Sequence, residues 1–453
     1  MGSIFRAYWG RVAPVFFCAG LLAAQPPALA QPAAPTTFTA SGYTPLVPAA
    51  QISGGDTAWM ITATVLVLLM TLPGLALFYA GMVRKKNILS TMAQVLAVAA
   101  LVTLLWFGIG YSLAFMPGTP FIGGTEGAWL DSLKFHKAAG TLSVHPLAPT
   151  VPESVFVMFQ LTFAIITPAL IVGAFAERIR FAALFWFVAA WLLLVYAPVA
   201  HWVWSSEGWL AQRGALDFAG GTVVHINAGV AGLVAAWMVG PRQGYGKVAL
   251  MPANLGMTMM GASLLWVGWM GFNGGSAGAA DGRAGMAMLV TQLAAAAGAL
   301  SWMLVEWLVR RTPTLLGLCS GAVAGLVAIT PASGFVSPAS AVLIGLVAGL
   351  GCYWGATGLK RLLRADDSLD VFGVHGMGGL IGALMTGWLA DPRIGGVSGS
   401  VLAQAEAAGA TVLWSAGVTA LILWAVNGLI GLRVTEAQEN DGLDLSQHGE
   451  RVA

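Results

Sequence analysis

The stretch Asp217–Gly240, DFAGGTVVHINAGVAGLVAAWMVG, carries one carboxylate and one histidine into a run otherwise made of apolar and small residues. It is long enough to cross a bilayer, because about 20 apolar residues span the hydrocarbon core. An ionisable side chain at that depth is costly and by default marks function. A second string, DVFGVHGMGG at Asp370–Gly379, repeats the arrangement around His375. In each, an aspartate (Asp217 or Asp370) precedes the helix and the histidine lies five to eight residues inside it.

The rest of the chain agrees with a lipid setting. Hydrophobic residues make up 58% of the 453 and charged residues 9%, with a mean hydropathy of +0.80. Soluble chains are about one quarter charged. A net charge of +2 provides no basic surface for nucleic acid. Cys18, Cys319 and Cys352 lie in apolar runs and form neither a zinc pattern nor a disulfide framework, so no metal or cofactor is expected. The 59 glycines suit close packing of membrane helices. At the start, Arg6 and Arg11 precede VAPVFFCAGLLAA, and ALA at 28–30 fits a cleavage site. Residues 1–30 therefore read as a signal peptide, with an uncleaved first helix as the other reading. Residues 31–56 read as a periplasmic, Pro-rich lead.

From residue 57 onward eleven apolar segments approach spanning length. They run over 57–81, 91–116, 154–176, 181–201, 218–240, 249–271, 286–308, 314–331, 336–359, 371–391 and 402–432. The fold class is thus an all-α polytopic membrane protein, with a membrane domain over 57–433. One set of loops, with the stretch after the last span, holds thirteen basic residues: Arg84, Lys85, Lys86, Arg178, Arg180, Arg242, Lys247, Arg310, Arg311, Lys360, Arg361, Arg364 and Arg433. The opposite loops hold five, namely Lys134, Lys137, Arg213, Arg283 and Arg393. That bias puts the C-terminus in the cytoplasm. An odd number of spans then agrees with the N-terminus outside. The acidic tail 434–453 is too short for a domain, and it is placed against the cytoplasmic face or on a partner.

Ten of the segments divide into two sets of five with a histidine in the last member of each. Five is odd, so the second set must be inverted, which is a recurring transporter design with its site at the repeat interface. Running in opposite directions, the two helices bring His225 and His375 toward the membrane middle. The glycine-rich neighbours GG at 220–221 and GMGG at 376–379 let helices approach them closely. A pair that merely bonds across helices is the plain alternative. A metal site is a poorer one, because two imidazoles without cysteine or a carboxylate pair make a weak ligand set. Two neutral imidazoles can share a proton, one donating and one accepting. Such a lining suits a small neutral solute and is hostile to a bare cation.

Aromatic residues flank this path. Phe159 and Phe163 share a helical face in the third segment. WVGWMGFNGGSAG, at the end of the sixth, puts Trp269, Phe272 and Ser276 on the outer side. Trp129, Trp202 and Trp209 read as ordinary interface-belt aromatics.

The chain from about 55 to 450 resembles the ammonium transporter family (Amt/Mep/Rh), in particular its bacterial Amt branch. The resemblance rests on GLALFYAGMVRKKN, GAFAERIRF, DFAGGTVVHINAG, WVGWMGFNGGSAG and VFGVHGMGG, in that order. It implies eleven helices built as two inverted five-helix repeats plus a final helix, and a homotrimer with one pore per subunit in the bacterial inner membrane. By the same resemblance His225 and His375 are twin pore histidines and Phe163 and Phe272 a stacked phenyl gate. Trp204 and Ser276, with Phe163, match an outer ammonium-recruitment site, and Asp217 the supporting acid below it. The tail resembles one that contacts a PII-type signal protein. SSEGW at 205–209 departs from the family with Glu207 and an extra residue, and NGGSAG departs from the more familiar NAGSAG. Ammonium uptake is the function implied, either with net transfer of a proton or as electrically silent passage of ammonia. A sensor role is the third reading. No nucleophile–base group or metal set points to an enzyme.

Overall fold

The computed structural model describes residues 45–452. The signal pattern and most of the lead lie outside the described residues. Among those described, nine helices are long and apolar enough to cross a membrane, from Gly54–Met82 to Val401–Ile430. Two further helical segments fall where the eighth and tenth spans are expected. The eighth, Leu315–Ile329, has 15 residues and rises only about 22 Å. Thr314 caps its start by accepting the Gly317 N–H. Gly321 and Gly325 let it lie flush on the seventh helix, where a Cβ on Gly325 would fall 2.2 Å from the Ala294 carbonyl. The tenth occupies 372–389. The sixth begins at Leu255 rather than 249, because the Asn254 side chain caps it by accepting the Met257 N–H.

Not all of the chain is helical. The lead and the 117–153 loop form short antiparallel ribbons, with Leu46–Pro48 and Phe135–His136 flanking Thr141–His145, which also pairs with Ala148–Pro152. Trp202, read from sequence as a belt residue, is instead buried under this loop and donates to the Phe121 carbonyl. Trp129 is exposed. Glu207 accepts the Gly118 N–H and ties the departing SSEGW loop to a further short ribbon, Gly118–Thr119 paired with Ile122–Gly123.

At the opposite end the acidic tail folds as two short helices, Glu436–Asp441 and Leu443–His448. It lies against the loops on that side. Asp444 accepts the Ser90 N–H at the start of the second helix, Leu443 N donates to Asn87, and Glu439 pairs with Arg433 and accepts the Gln243 N–H. Two of the tail's carboxylates are therefore engaged within the chain. Glu436, Asp441 and Glu450 remain exposed.

The decisive packing is the crossing of the fifth helix, Gly221–Val239, with the tenth. A Cβ on Gly229 would stand 2.3 Å from Gly376 N, and one on Gly379 would stand 2.8 Å from the Gly221 carbonyl and 3.0 Å from Ile226 N. Gly229 follows His225 by four residues and Gly379 follows His375 by four, so the contacts mirror each other across the crossing. Gly229→Ala should lower the thermal stability of the detergent-purified protein by about 1–3 kcal/mol through overpacking. Gly428→Ala, at an open position in the last helix, should leave it unchanged or raise it slightly. Parallel melting curves of the two variants check this.

Candidate functional site

Both histidines lie in π-helical turns, His225 within Gly221–Ile226 and His375 within Phe372–Gly376. Such turns widen a helix by one residue and are frequent at functional sites. The start of the fifth helix is fixed by Asp217. Its Oδ1 accepts the Gly220 and Gly221 N–H groups at 2.9 and 2.6 Å, and its Oδ2 accepts those of Thr222 and Val223 at 2.9 and 3.0 Å. An acceptor-only carboxylate suits four backbone donors that a helix start leaves unpaired. Gly220 makes the turn possible with φ of +113°.

The histidines meet at the crossing. Their Nδ1 atoms are 3.3 Å apart and their rings are 5.3 Å apart at 21°. One ring therefore donates from Nδ1 while the other accepts, and a proton can be exchanged between them. His225 Nε2 is buried with no hydrogen-bond partner among the described residues. Trp269 stacks on His225 at 5.5 Å, so it belongs beside the histidines and not at the outer rim where the sequence reading put it. Its Nε1 is held by Thr330 Oγ1. The remaining lining is apolar and includes Phe78, Ile166, Leu170, Leu265 and Val323, with room for about one water-sized molecule.

On the side of the 117–153 loop, Phe163 and Phe272 stack at 4.2 Å and 27°, both buried, and Phe272 lies 6.1 Å from His225. Phe159 meets Phe163 edge-on at 5.0 Å, and Trp204 does so at 5.7 Å. Trp204 is only half-buried, and its Nε1 donates to the Asp217 carbonyl at 2.9 Å, which couples the aromatic rim to the helix cap. Ser276 Oγ donates to the Phe272 carbonyl, so its lone pairs stay available as acceptors. Ring contacts thus connect Trp204 and Phe159 through Phe163 and Phe272 to His225 and His375.

Asp370 precedes the tenth helix but does not cap it. It forms an ion pair with Lys360 at 2.8 Å, and it is Asp367 that caps the tenth helix by accepting the Phe372 N–H at 2.8 Å. Burial pushes the Asp367 carboxyl up to about 6, with Lys360 pulling it down and Asp370 adding to the rise. Beside it, burial also pushes Asp366 up, but Arg242 and Arg178 more than offset this and leave it below the usual carboxylate range. Arg178, with no exposed surface, donates to the carbonyls of Ala174, Ala176, Gly240 and Asp366 and to Ser368 Oγ. Burial brings its guanidinium down to about 10.

A polytopic helical membrane protein with a narrow apolar path, broken only by paired imidazoles, defines a class of small-solute transport protein. Residues 58–453 match the model of the Ammonium Transporter Family. The chain is 48% identical over 407 residues to the ammonium transporter of Bacillus subtilis, covering 88% of this chain and 98% of that one. It is 46% identical over 411 residues to the ammonium transporter of Aquifex aeolicus, covering 89% and 94%. Of solved structures, Candida albicans Mep2 superposes with a TM-score of 0.79 at 38% identity over 86% of this chain and 88% of that chain. One described as a sensor Amt protein does so with 0.79 at 31% identity over 87% and 98%. The chain belongs to the ammonium transporter family; it is a multi-pass membrane protein that transports ammonium or ammonia and is not an enzyme.

Asp217→Ala leaves four N–H groups without their acceptor and should destabilise the protein by about 2–4 kcal/mol. Asp217→Asn, which keeps a single acceptor oxygen, should cost about half as much. Thermal unfolding of the two variants against the parent reads the order.

Proposed function

We propose that the chain takes up ammonium selectively by binding the cation at Trp204, Phe163 and Ser276, removing its proton, and passing ammonia between Phe163 and Phe272 and along His225 and His375. The proton crosses separately, so each cycle moves one net positive charge. The observation that carries this reading is the 3.3 Å contact between two imidazoles inside an otherwise apolar enclosure. A cation entering it would lose hydration with no charge to replace it, whereas ammonia keeps one donor–acceptor partner throughout. Potassium has no proton to lose and is refused. At the rim, ring faces attract a cation by about 0.5–2 kcal/mol each, and Ser276 Oγ accepts an ammonium N–H. Asp217 acts through its charge and by fixing Trp204.

The same reading puts the protein in the bacterial inner membrane as a homotrimer, with its N-terminus periplasmic and its tail cytoplasmic. The basic-residue bias supports the orientation. Eleven segments in two inverted sets of five plus a last helix are supported by the π-helical turns that carry one histidine in the fifth segment and one in the tenth. The exposed Glu436, Asp441 and Glu450 suit the basic surface of a PII-type partner. A sensor role is the second reading, favoured by the 31% identity to a sensor Amt protein.

The test is current from proteoliposomes holding the purified protein after an ammonium pulse, with potassium as control. Ammonium is expected to evoke a current and potassium none. His225→Ala and His375→Ala should lower the preference for ammonium over potassium at least about tenfold. A pH change in the lumen without current would replace this reading with silent ammonia passage, and neither signal would favour the sensor. Trp204→Leu should raise the half-saturating ammonium concentration about 2- to 30-fold, the equivalent of one lost ring contact. The concentration dependence of the same current measures it.

A further inference from the structure

Asp217 and Asp367 stand in one relation to the two histidines. Each lies eight residues before its imidazole, and each caps the start of that imidazole's helix. They differ in how fully they are engaged. Both oxygens of Asp217 are filled by N–H groups, whereas Asp367 takes the Phe372 N–H on Oδ2, has the Val371 N–H close by, and keeps Oδ1 buried with no hydrogen-bond partner among the described residues. Asp367 has only 3% of its surface exposed. A cap does not require an empty buried oxygen, and native structures rarely keep one without a use.

The neighbours of that oxygen are specific. Lys360, at the end of the ninth segment, is within electrostatic reach but is held on Asp370 at 2.8 Å. Tyr79 of the first helix is also within reach, and its hydroxyl is committed to the Leu170 carbonyl at 2.9 Å. Tyr245 donates to the Ala365 carbonyl, and Asp366 faces Arg242 and Arg178. Tyr79 and Val371 meet over Gly173, where a Cβ would stand 2.7 and 2.8 Å from them. Phe78, next to Tyr79, lines the cavity of the histidines. The capped N–H of Phe372 is about 4–5 Å along the helix axis from His375. Asp367 therefore lies on the tail side of His375, at the start of the helix that carries it.

We propose that Asp367 is the inner proton-binding group of this transporter, receiving on its free oxygen the proton that crosses separately and giving it to ammonia as it leaves the histidines. The inference rests on the charge-coupled reading above. The carboxylate gains H⁺ and becomes the acid; the acid O–H then breaks as a new N–H bond forms, giving NH₄⁺ and restoring the carboxylate. One ammonia and one proton enter, and one ammonium leaves. Burial holds this carboxyl near 6, so it is ready to accept a proton at neutral pH and is still acid enough to give one to an amine.

The experiment is ammonium-evoked current in proteoliposomes selected for lumenal C-termini, with lumenal pH varied from about 5 to about 8. For the parent, current should fall as lumenal pH drops through about 6, because protons from the lumen then fill the acceptor. Asp367→Asn should lose at least about nine-tenths of the current and the inflection, with the half-saturating external ammonium unchanged. Lys360→Met, which removes a positive charge that holds the carboxyl down, should move the inflection to higher pH. An Asp367→Asn protein with the parent's current and inflection would overturn the inference, and so would an unmoved inflection in Lys360→Met. If Asp367→Asn does not fold, the Lys360→Met shift decides alone. A parent with no current at all fails at the earlier step, the charge-coupled reading itself.

Discussion

The close crossing of the fifth and tenth helices is the constraint on which the rest depends. Two glycines, Gly229 and Gly379, let backbone meet backbone where any side chain would force the helices apart. At that separation the imidazoles one turn away come within 3.3 Å of each other. A wider crossing would leave each ring alone in an apolar environment, where an unpaired polar group is costly. The glycines thus satisfy the histidines, and the histidine contact in turn gives the crossing its register.

Irregular backbone accomplishes the rest. The π-helical turns at 221–226 and 372–376 swing each histidine out of its regular helical position. Such turns leave backbone groups at the helix start in need of acceptors, and Asp217 and Asp367 supply them. Non-helical backbone at this depth is tolerated where protein buries it or a cavity adjoins it. Here both conditions hold, because the third, sixth and eighth segments wrap the crossing with Leu170, Leu265 and Val323.

Much of this was legible in the sequence because polar residues stand out against an apolar background. His225, His375 and Asp217 announce themselves in that way, and the basic residues sort the loops. Phe163 and Phe272 carry no such contrast, and only the family resemblance paired them. Trp269 was put at the rim because its position was judged along the helix axis; three residues from Phe272, it shares a face with the inner ring and reaches His225. DDSLD at 366–370 offers three carboxylates within five residues, and only the last, Asp370, enters the sequence reading. The signal that separates them was present in the interval of eight residues between Asp217 and His225, which 367 repeats and 370 does not. The ribbons in the 117–153 loop and the burial of Trp202 were not legible, since both depend on which distant segments the loop lies over.

Arg178 has a consequence of a mechanical kind. Its five hydrogen bonds join the turn after the third helix to the end of the fifth at Gly240 and to the start of the tenth at Asp366 and Ser368. Next to it, Glu177, held at φ of +73°, fastens Arg84 and Arg242, and Arg242 fastens Asp366. The tail ends of four segments are thereby bolted into one plate, and no pair of them can slide or tilt without breaking several buried charged contacts together. A carrier that alternates by rocking one half against the other needs a seam at that level, and here the seam is closed. Any rearrangement of these four ends relative to one another has to part those contacts first.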